Sequence, residues 1–336
     1  MAKIIYLPFE NLPQRYTGMW NTAIIRHLRP DDIVVKVSEK ESQISVGEFL
    51  DIYDTTAYKS RQLDAVSLLF KEGKIENGDI FYVPDIFFPG LEAIRYMADL
   101  AGIKVKIAAF NHAGRADKDD FVQRLGLWAD AQEATWHQMC DLVMVGSQYQ
   151  KERVDAKFDV NSVVVGAVWD TDYVASFYGI APKIKNSVIW PHRPCAEKRF
   201  DLFLEAARNN PELHFIITSG GPCRIDVASL PSNVDYLYNL TKKDYYRIFA
   251  HSEGYLSTAY QETFGYTIQE AIYYGCKIIC PNHACYPEFV APQCLASFED
   301  IGKPGFLTEK FSEDNLAQSQ QFSDNAEKII QLIHNV

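Results

Sequence analysis

Short apolar runs bounded by charged or turn-forming residues alternate with longer stretches whose apolar positions recur every three or four residues. Runs of the first kind suit buried strands, and the longer stretches suit helices packed on the faces of a sheet. In the first half, strands are expected at residues 3–8, 32–37, 80–84, 105–110, 142–145 and 163–165. Helices are expected at 17–28, at 89–101 with Leu91, Ile94, Met97 and Leu100 on one side, and at 121–140. Residues 169–185, with Gly179 and Pro182, break the rhythm and read as a loop-like linker. The alternation then restarts, with strands at 187–190, 214–218, 234–237, 254–257 and 277–280. Helices are expected at 197–208, 242–250, 264–274 and 326–334. The pattern implies an α/β chain of two doubly wound, Rossmann-like domains. Their expected limits are 1–168 and 186–320, with a linker at 169–185 and a closing helix in 321–336. Ligands of open parallel sheets bind beyond the carboxyl ends of the strands, so two such domains facing an interdomain cleft would place their motifs there.

The 336 residues are enough for two cores, and 47% hydrophobic with 23% charged residues is ordinary globular composition. The net charge of -11 opposes tight binding to a polyanion, though not through a local basic cleft. No run approaches the roughly 20 apolar residues of a membrane helix, and the opening residues do not read as a signal peptide. No membrane partner is therefore expected. Seven cysteines, an odd number, suit reduced thiols and a cytoplasmic protein. Cys276, Cys280, His283 and Cys285 are close in sequence, but Lys277–Ile279 between the first two reads as strand. Core thiols are the better reading there than zinc.

Two segments carry the strongest chemical signals. In Gln261-Glu262-Thr263-Phe264-Gly265-Tyr266-Thr267-Ile268-Gln269-Glu270, Glu262 precedes an expected helix and Glu270 lies inside it. Backbone amides at a helix start can cradle phosphate, and carboxylates can hold sugar and ribose hydroxyls. The bland alternative is a capping or solvated glutamate pair. In Trp190-Pro191-His192-Arg193-Pro194-Cys195-Ala196-Glu197-Lys198, Arg193 follows a strand and Lys198 begins a helix, which suits a diphosphate. Ser219-Gly220-Gly221-Pro222 allows a tight turn beside a ligand, or is only a turn. Asp170-Thr171-Asp172 spells a metal-binding pattern, yet it lies in the expected linker. It reads as loop, so no metal site and no obligatory cofactor are expected.

In this order, Arg193 and Lys198, Gly220-Gly221, then Glu262 and Glu270, the second half resembles retaining GT-B glycosyltransferases of the group 1, or family 4, class. Tyr273-Tyr274-Gly275-Cys276-Lys277 resembles that class's entry into the next strand, with Lys277 where the class has Pro. The resemblance implies a nucleotide-sugar co-substrate, most safely a uridine diphosphate sugar, and transfer with retention. It implies that Arg193 and Lys198 neutralise the diphosphate, Glu262 contacts the sugar and Glu270 the ribose. Thr263, Phe264, Gly265, Gly220 and Gly221 would complete the donor site. His112, in Phe110-Asn111-His112-Ala113-Gly114-Arg115-Ala116-Asp117, sits where the class often has an active-site histidine. The loop Gln14-Arg15-Tyr16-Thr17-Gly18 has one glycine where the class has two.

The first half also resembles phage glycosyltransferases that decorate hydroxymethylated pyrimidines in DNA. The pieces are the Pro-Phe-Glu and Gln-Arg-Tyr-Thr opening, the His-Ala-Gly and Asp loop, and Trp128, Glu133 and Trp136. That resemblance implies a double-stranded DNA acceptor carrying 5-hydroxymethylcytosine, with Tyr16, Trp20, Arg115 and Asp117 as acceptor-binding residues, in the host cytoplasm. Arg15, Lys118 and Arg124 would extend a cation track. The alternatives are a saccharide or other small hydroxyl acceptor, an inverting relative with a carboxylate base, and a non-catalytic binder on the same fold.

Overall fold

The computed structural model describes residues 2–12, 15–38, 51–221, 225–313 and 325–336. Gln14, Pro222 and the expected boundary at 320/321 lie outside them. The chain divides into two compact units, passing from the first to the second between Asp170 and Thr171 and returning to the first for its C-terminal residues.

In the N-terminal unit the elements are β1 (Ile4–Tyr6), α1 (Thr17–His27), β2 (Ile33–Val34), α2 (Ile52–Lys71), β3 (Ile80–Val83), α3 (Leu91–Ala101), β4 (Lys106–Asn111), α4 (Trp128–Met139), β5 (Leu142–Val145), α5 (Gln148–Phe158) and β6 (Val163–Val164). The strands pair in parallel in the order β2-β1-β3-β4-β5-β6. The central runs β1, β3 and β5 are buried throughout, as a sheet covered on both faces requires.

Three expected features change here. On α3 the inward residues are Leu91, Ile94 and Ala98, while Leu100 is exposed. Nine residues at about 100° each carry Leu100 to the opposite side from Leu91. The expected helix over 121–140 is a short 3₁₀ turn, Phe121–Arg124, followed by α4. The Arg115 guanidinium takes the Val122 and Leu125 carbonyls at 3.2 and 3.3 Å, acceptors that a continuous helix would use itself. Helices α2 and α5 had no counterpart in the apolar pattern. Their buried rows are Tyr58, Gln62, Val66 and Gln150, Val154, Phe158, each with a polar member. Gln150 is buried because Asn111 Oδ1 accepts from its amide at 2.8 Å.

The C-terminal unit contains α6 (Thr171–Phe177), β7 (Ile184–Trp190), α7 (Phe200–Asn209), β8 (His214–Ser219), β9 (Val234–Tyr238), α8 (Lys242–His251), β10 (Ser252–Leu256), α9 (Tyr266–Tyr273), β11 (Lys277–Pro281), α10 (Tyr286–Phe289), β12 (Leu295–Ala296), α11 (Phe298–Gly302) and α12 (Phe306–Ser312). Its parallel order is β12-β11-β10-β7-β8-β9, so the chain reverses its direction of travel between β7 and β10. The expected loop at 169–185 in fact holds α6 and the start of β7. Asp170 is buried beside the Arg26 guanidinium at 2.9 Å, and Asp172 lies in the first turn of α6. The expected helix over 197–208 is split by Arg199, whose φ of +50° is left-handed.

The closing helix α13 (Ala326–His334) belongs to the N-terminal unit. It buries Ala326, Ile329, Ile330 and Ile333. Asn325 fastens its start by donating to the Val165 and Ala167 carbonyls at 2.9 and 3.1 Å. Among the described residues no helix is long and apolar enough to cross a membrane.

Candidate active site

In an open parallel sheet the strand-order reversal leaves a crevice at the carboxyl ends of the flanking strands. In the C-terminal unit those strands are β7 and β10. The segment after β7 supplies Arg193 and Lys198, and the segment after β10 supplies Glu262. The structure brings them together. Lys198 Nζ lies 3.2 Å from Glu262 Oε2 and donates to the Gln261 carbonyl at 2.7 Å. Arg193 pairs with Glu197 at 3.0 Å. The ammonium is only 14% exposed, so it is held in one place before any anion arrives. Burial pushes the nearby Cys195 thiol up to about 12, which keeps it uncharged.

The helix start lies later than the sequence suggests. Gly265 takes φ +78°, and α9 begins at Tyr266. Phe264 and Gly265 therefore sit in the preceding loop, and the first-turn amides are those of Tyr266 and Thr267. The Phe264 ring is buried against Phe289, 5.1 Å between centroids, so only its backbone lies on the loop path. The Thr263 amide donates to Glu262 Oε1 at 3.3 Å. Glu270 is buried on α9 and accepts the Tyr245 hydroxyl. Gly220 and Gly221 follow β8, where the Gly221 carbonyl accepts from Ser219 at 2.5 Å. Lys277 donates to the Phe311 carbonyl at 2.7 Å and pairs with Glu253, a fastening that proline could not supply.

Two residues of this unit were not singled out by the sequence. His192 is buried between Trp190 and Tyr255 with Nε2 unpartnered, and burial together with the Lys198 charge holds it well below the usual histidine range. Tyr245 was hidden in the plain helical pattern of α8. Its spacing of three residues from Lys242, just after a strand, was the available signal.

In the N-terminal unit, His112 follows β4. Its Nε2 donates to the Pro84 carbonyl at 2.9 Å, so Nδ1 is the acceptor facing the Tyr16 hydroxyl at 3.3 Å. Burial holds the ring below the usual histidine range, in the neutral form. Tyr16 and His112 thus meet. Trp20 is fully buried under them, 5.1 Å from His112 and 4.9 Å from Phe110, and has no surface for stacking on a base. Arg115 is turned inward onto Asp130, with Nε 3.2 Å from Oδ1. Its cation is neutralised inside the unit. Asp117 is buried and accepts the Asp119 amide at 3.0 Å.

Below this loop lies Glu133, about 1% exposed, whose Oε2 accepts the Arg115 amide at 2.9 Å and whose Oε1 has no partner. Burial, with Asp120 and Asp85 adding repulsion, raises it to about 7, and burial raises Asp120 to about 6. A carboxyl whose folded value is raised favours folding fully below its unfolded value of 4.5, and that contribution is lost as pH rises through 7. Glu133→Gln keeps the acceptor and removes the titration. Its stability relative to wild type is therefore expected to rise between pH 5 and pH 8 in urea unfolding. An equal difference at both pH values counts against the buried charge.

Among the described residues no group of three histidine, cysteine, aspartate or glutamate side chains could hold a metal ion. Cys276, Cys280 and Cys285 are buried, and His283 stacks on Tyr260 at 4.6 Å.

The comparisons bear on the fold. The fold resembles sucrose-phosphate synthase from Thermosynechococcus elongatus, with a TM-score of 0.69 at 11% identity over 99% of this chain and 95% of that one. It resembles the catalytic domain of starch synthase IV from Arabidopsis thaliana bound to ADP and acarbose, with a TM-score of 0.67 at 12% identity over 99% of both chains. It also resembles WaaG, a glycosyltransferase involved in lipopolysaccharide biosynthesis, with a TM-score of 0.61 at 15% identity over 98% of this chain and 99% of that one. The fold is thus GT-B. Residues 179–331 match the family model of glycosyl transferases group 1. The chain is a glycosyltransferase whose second half carries that group 1 match.

Proposed function

We propose that the chain transfers a glycosyl group from a nucleoside-diphosphate sugar to a hydroxyl of a saccharide acceptor, with retention at the anomeric carbon. The observation that carries this reading is the cation pair Arg193 and Lys198, set with Glu262 beside the strand-order reversal of the C-terminal sheet. A fixed ammonium and guanidinium stabilise the charge that builds on the diphosphate as the sugar leaves. Glu262 stands on the sugar side and Glu270 on the ribose side. The bond from the anomeric carbon to the phosphate oxygen breaks, and the bond to the acceptor oxygen forms on the same face. The acceptor proton passes to the departing phosphate. His112 is not asked to take it, since its Nδ1 already faces the Tyr16 hydroxyl.

A saccharide is preferred to DNA on local charge. Arg115 is spent on Asp130, and the carboxyls of Asp85 and Asp120 lie near the His112 loop. Carboxylates accept sugar hydroxyls and repel phosphates.

The test is sugar transfer from uridine- and adenosine-diphosphate sugars to saccharides, and in parallel to hydroxymethylated DNA. Sugar mass gained by a saccharide, with the anomeric configuration kept, supports the proposal. Gain by DNA alone restores the DNA acceptor, and absence of both transfer and donor hydrolysis sinks the catalytic reading. Because the cation pair can neutralise the diphosphate, the rate is expected to survive excess chelator. Complete loss, restored by magnesium or manganese, would assign phosphate neutralisation to a metal.

A further inference from the structure

Glu270 is almost wholly buried on α9, and its Oε2 accepts the Tyr245 hydroxyl of α8 at 2.5 Å. Tyr245 is itself held by ring contacts with Tyr246 and Phe249, each at 5.3 Å. The groups facing the Glu270 carboxyl are Tyr245, Lys242 and Tyr246 from α8 and Tyr274 from its own helix end. Burial raises Glu270 to about 7, while the Tyr245 bond, the Lys242 charge and the Tyr246 bond pull it back. Near neutrality it is therefore divided between two forms with different binding capacity. A carboxylate offers acceptor sites on both oxygens, whereas the protonated form gives one oxygen over to a donor. Two vicinal ribose hydroxyls need acceptors.

We infer that Tyr245 is a positioning residue for donor recognition: its hydroxyl fixes one Glu270 oxygen and leaves the other carboxylate oxygen for the ribose hydroxyls. The inference rests on the donor reading above, and it adds the device that keeps the ribose-binding carboxylate in place. Tyr245→Phe removes the hydroxyl and keeps the ring in its packing. The freed carboxyl can rotate, and its proton is held more tightly.

The experiment is calorimetric titration of the full chain with uridine and adenosine diphosphates and with their 2′,3′-dideoxy forms, at pH 6.5, 7.5 and 8.5. The wild type is expected to bind the ribose forms more tightly than the dideoxy forms. Tyr245→Phe is expected to lose roughly tenfold in affinity for the ribose forms at pH 7.5, the size of one lost bond to a charged group. The ratio of ribose to dideoxy affinity should recover part of that loss at pH 8.5. Binding of the dideoxy forms should be unchanged. Equal loss for both forms would mean general damage to α8 and overturns the inference, as does no loss at all. If the wild type binds neither diphosphate, the donor reading itself fails. If it binds ribose and dideoxy forms alike, only the Tyr245–Glu270 assignment fails.

Discussion

Lys198→Ala is expected to be the most damaging single change to catalysis. The ammonium bridges the Gln261 carbonyl and Glu262 from the segment after β10, although Lys198 follows β7. Removing it deletes the proposed charge-assisted bond to the diphosphate, about 1.5–3 kcal/mol. It also leaves the Glu262 carboxylate without its counter-ion at the point where two phosphates arrive. Diphosphate affinity should fall at least tenfold, and turnover should fall by about 10²–10³ because the charge grows during bond breaking. Arg193→Ala should cost less, about tenfold in affinity, since its guanidinium is a third exposed and already shared with Glu197. Circular dichroism should show both variants folded. Lys198→Ala with unchanged affinity and unchanged turnover is the result that ends the assignment. A Lys198→Ala/Glu262→Gln double variant separates the two causes. If repulsion from Glu262 contributes, the double variant binds diphosphate more tightly than Lys198→Ala alone.

The fold was legible because parallel strands buried on both faces leave nearly continuous apolar runs, such as Ile80–Val83 and Lys277–Pro281. The elements that escaped are those whose burial is not apolar. In α5, Gln150 goes inside to meet Asn111, and in α2, Gln62 goes inside to reach the Pro8 carbonyl at 2.8 Å. A polar residue paired across 39 or 54 positions looks like surface until the partner is known. Backbone breaks escaped for the same reason. Arg199 adopts a left-handed conformation that nothing in its own side chain requests, and the α4 break depends on a guanidinium reaching from Arg115.

The candidate site divides along the same line. Arg193, Lys198, Glu262 and Glu270 stand near chain punctuation, at strand ends and a glycine, so their order could be read directly. Their partners could not. Glu197 and Tyr245 take their places through contacts that only the folded unit makes. In the N-terminal unit, two of the residues that the resemblance nominated for the acceptor are engaged internally. Trp20 and Arg115 have the chemistry of base stacking and phosphate binding, but burial under His112 and pairing with Asp130 use them up. An exposed aromatic or cation and an internally satisfied one look identical in sequence.

Gly114→Ala is expected to be the most damaging change to the N-terminal unit. Gly114 has φ +101°, where a side chain costs about 1–2 kcal/mol. A Cβ there would lie 2.4 Å from Glu133 Oε1 and 3.1 Å from Oε2. Glu133 cannot easily move away, because it is buried and its Oε2 accepts the Arg115 amide at 2.9 Å. Backbone strain and the displaced carboxylate together should cost about 3–5 kcal/mol. For a unit of this size that lowers the melting temperature by roughly 10 °C. Shortening the opposing side chain tests the origin of the loss. Gly114→Ala/Glu133→Ala removes the collision and keeps the strained φ, so Gly114→Ala should cost less in the Glu133→Ala background than in the wild type. If the His112 loop serves the acceptor as proposed, residual Gly114→Ala protein should show a raised acceptor KM, because His112 sits on the displaced loop and faces the Tyr16 hydroxyl, while binding of nucleoside diphosphate by the C-terminal unit stays at the wild-type value. A melting temperature within about 2 °C of wild type, about 1 kcal/mol or less, would show that the loop yields freely and that Glu133 does not brace it.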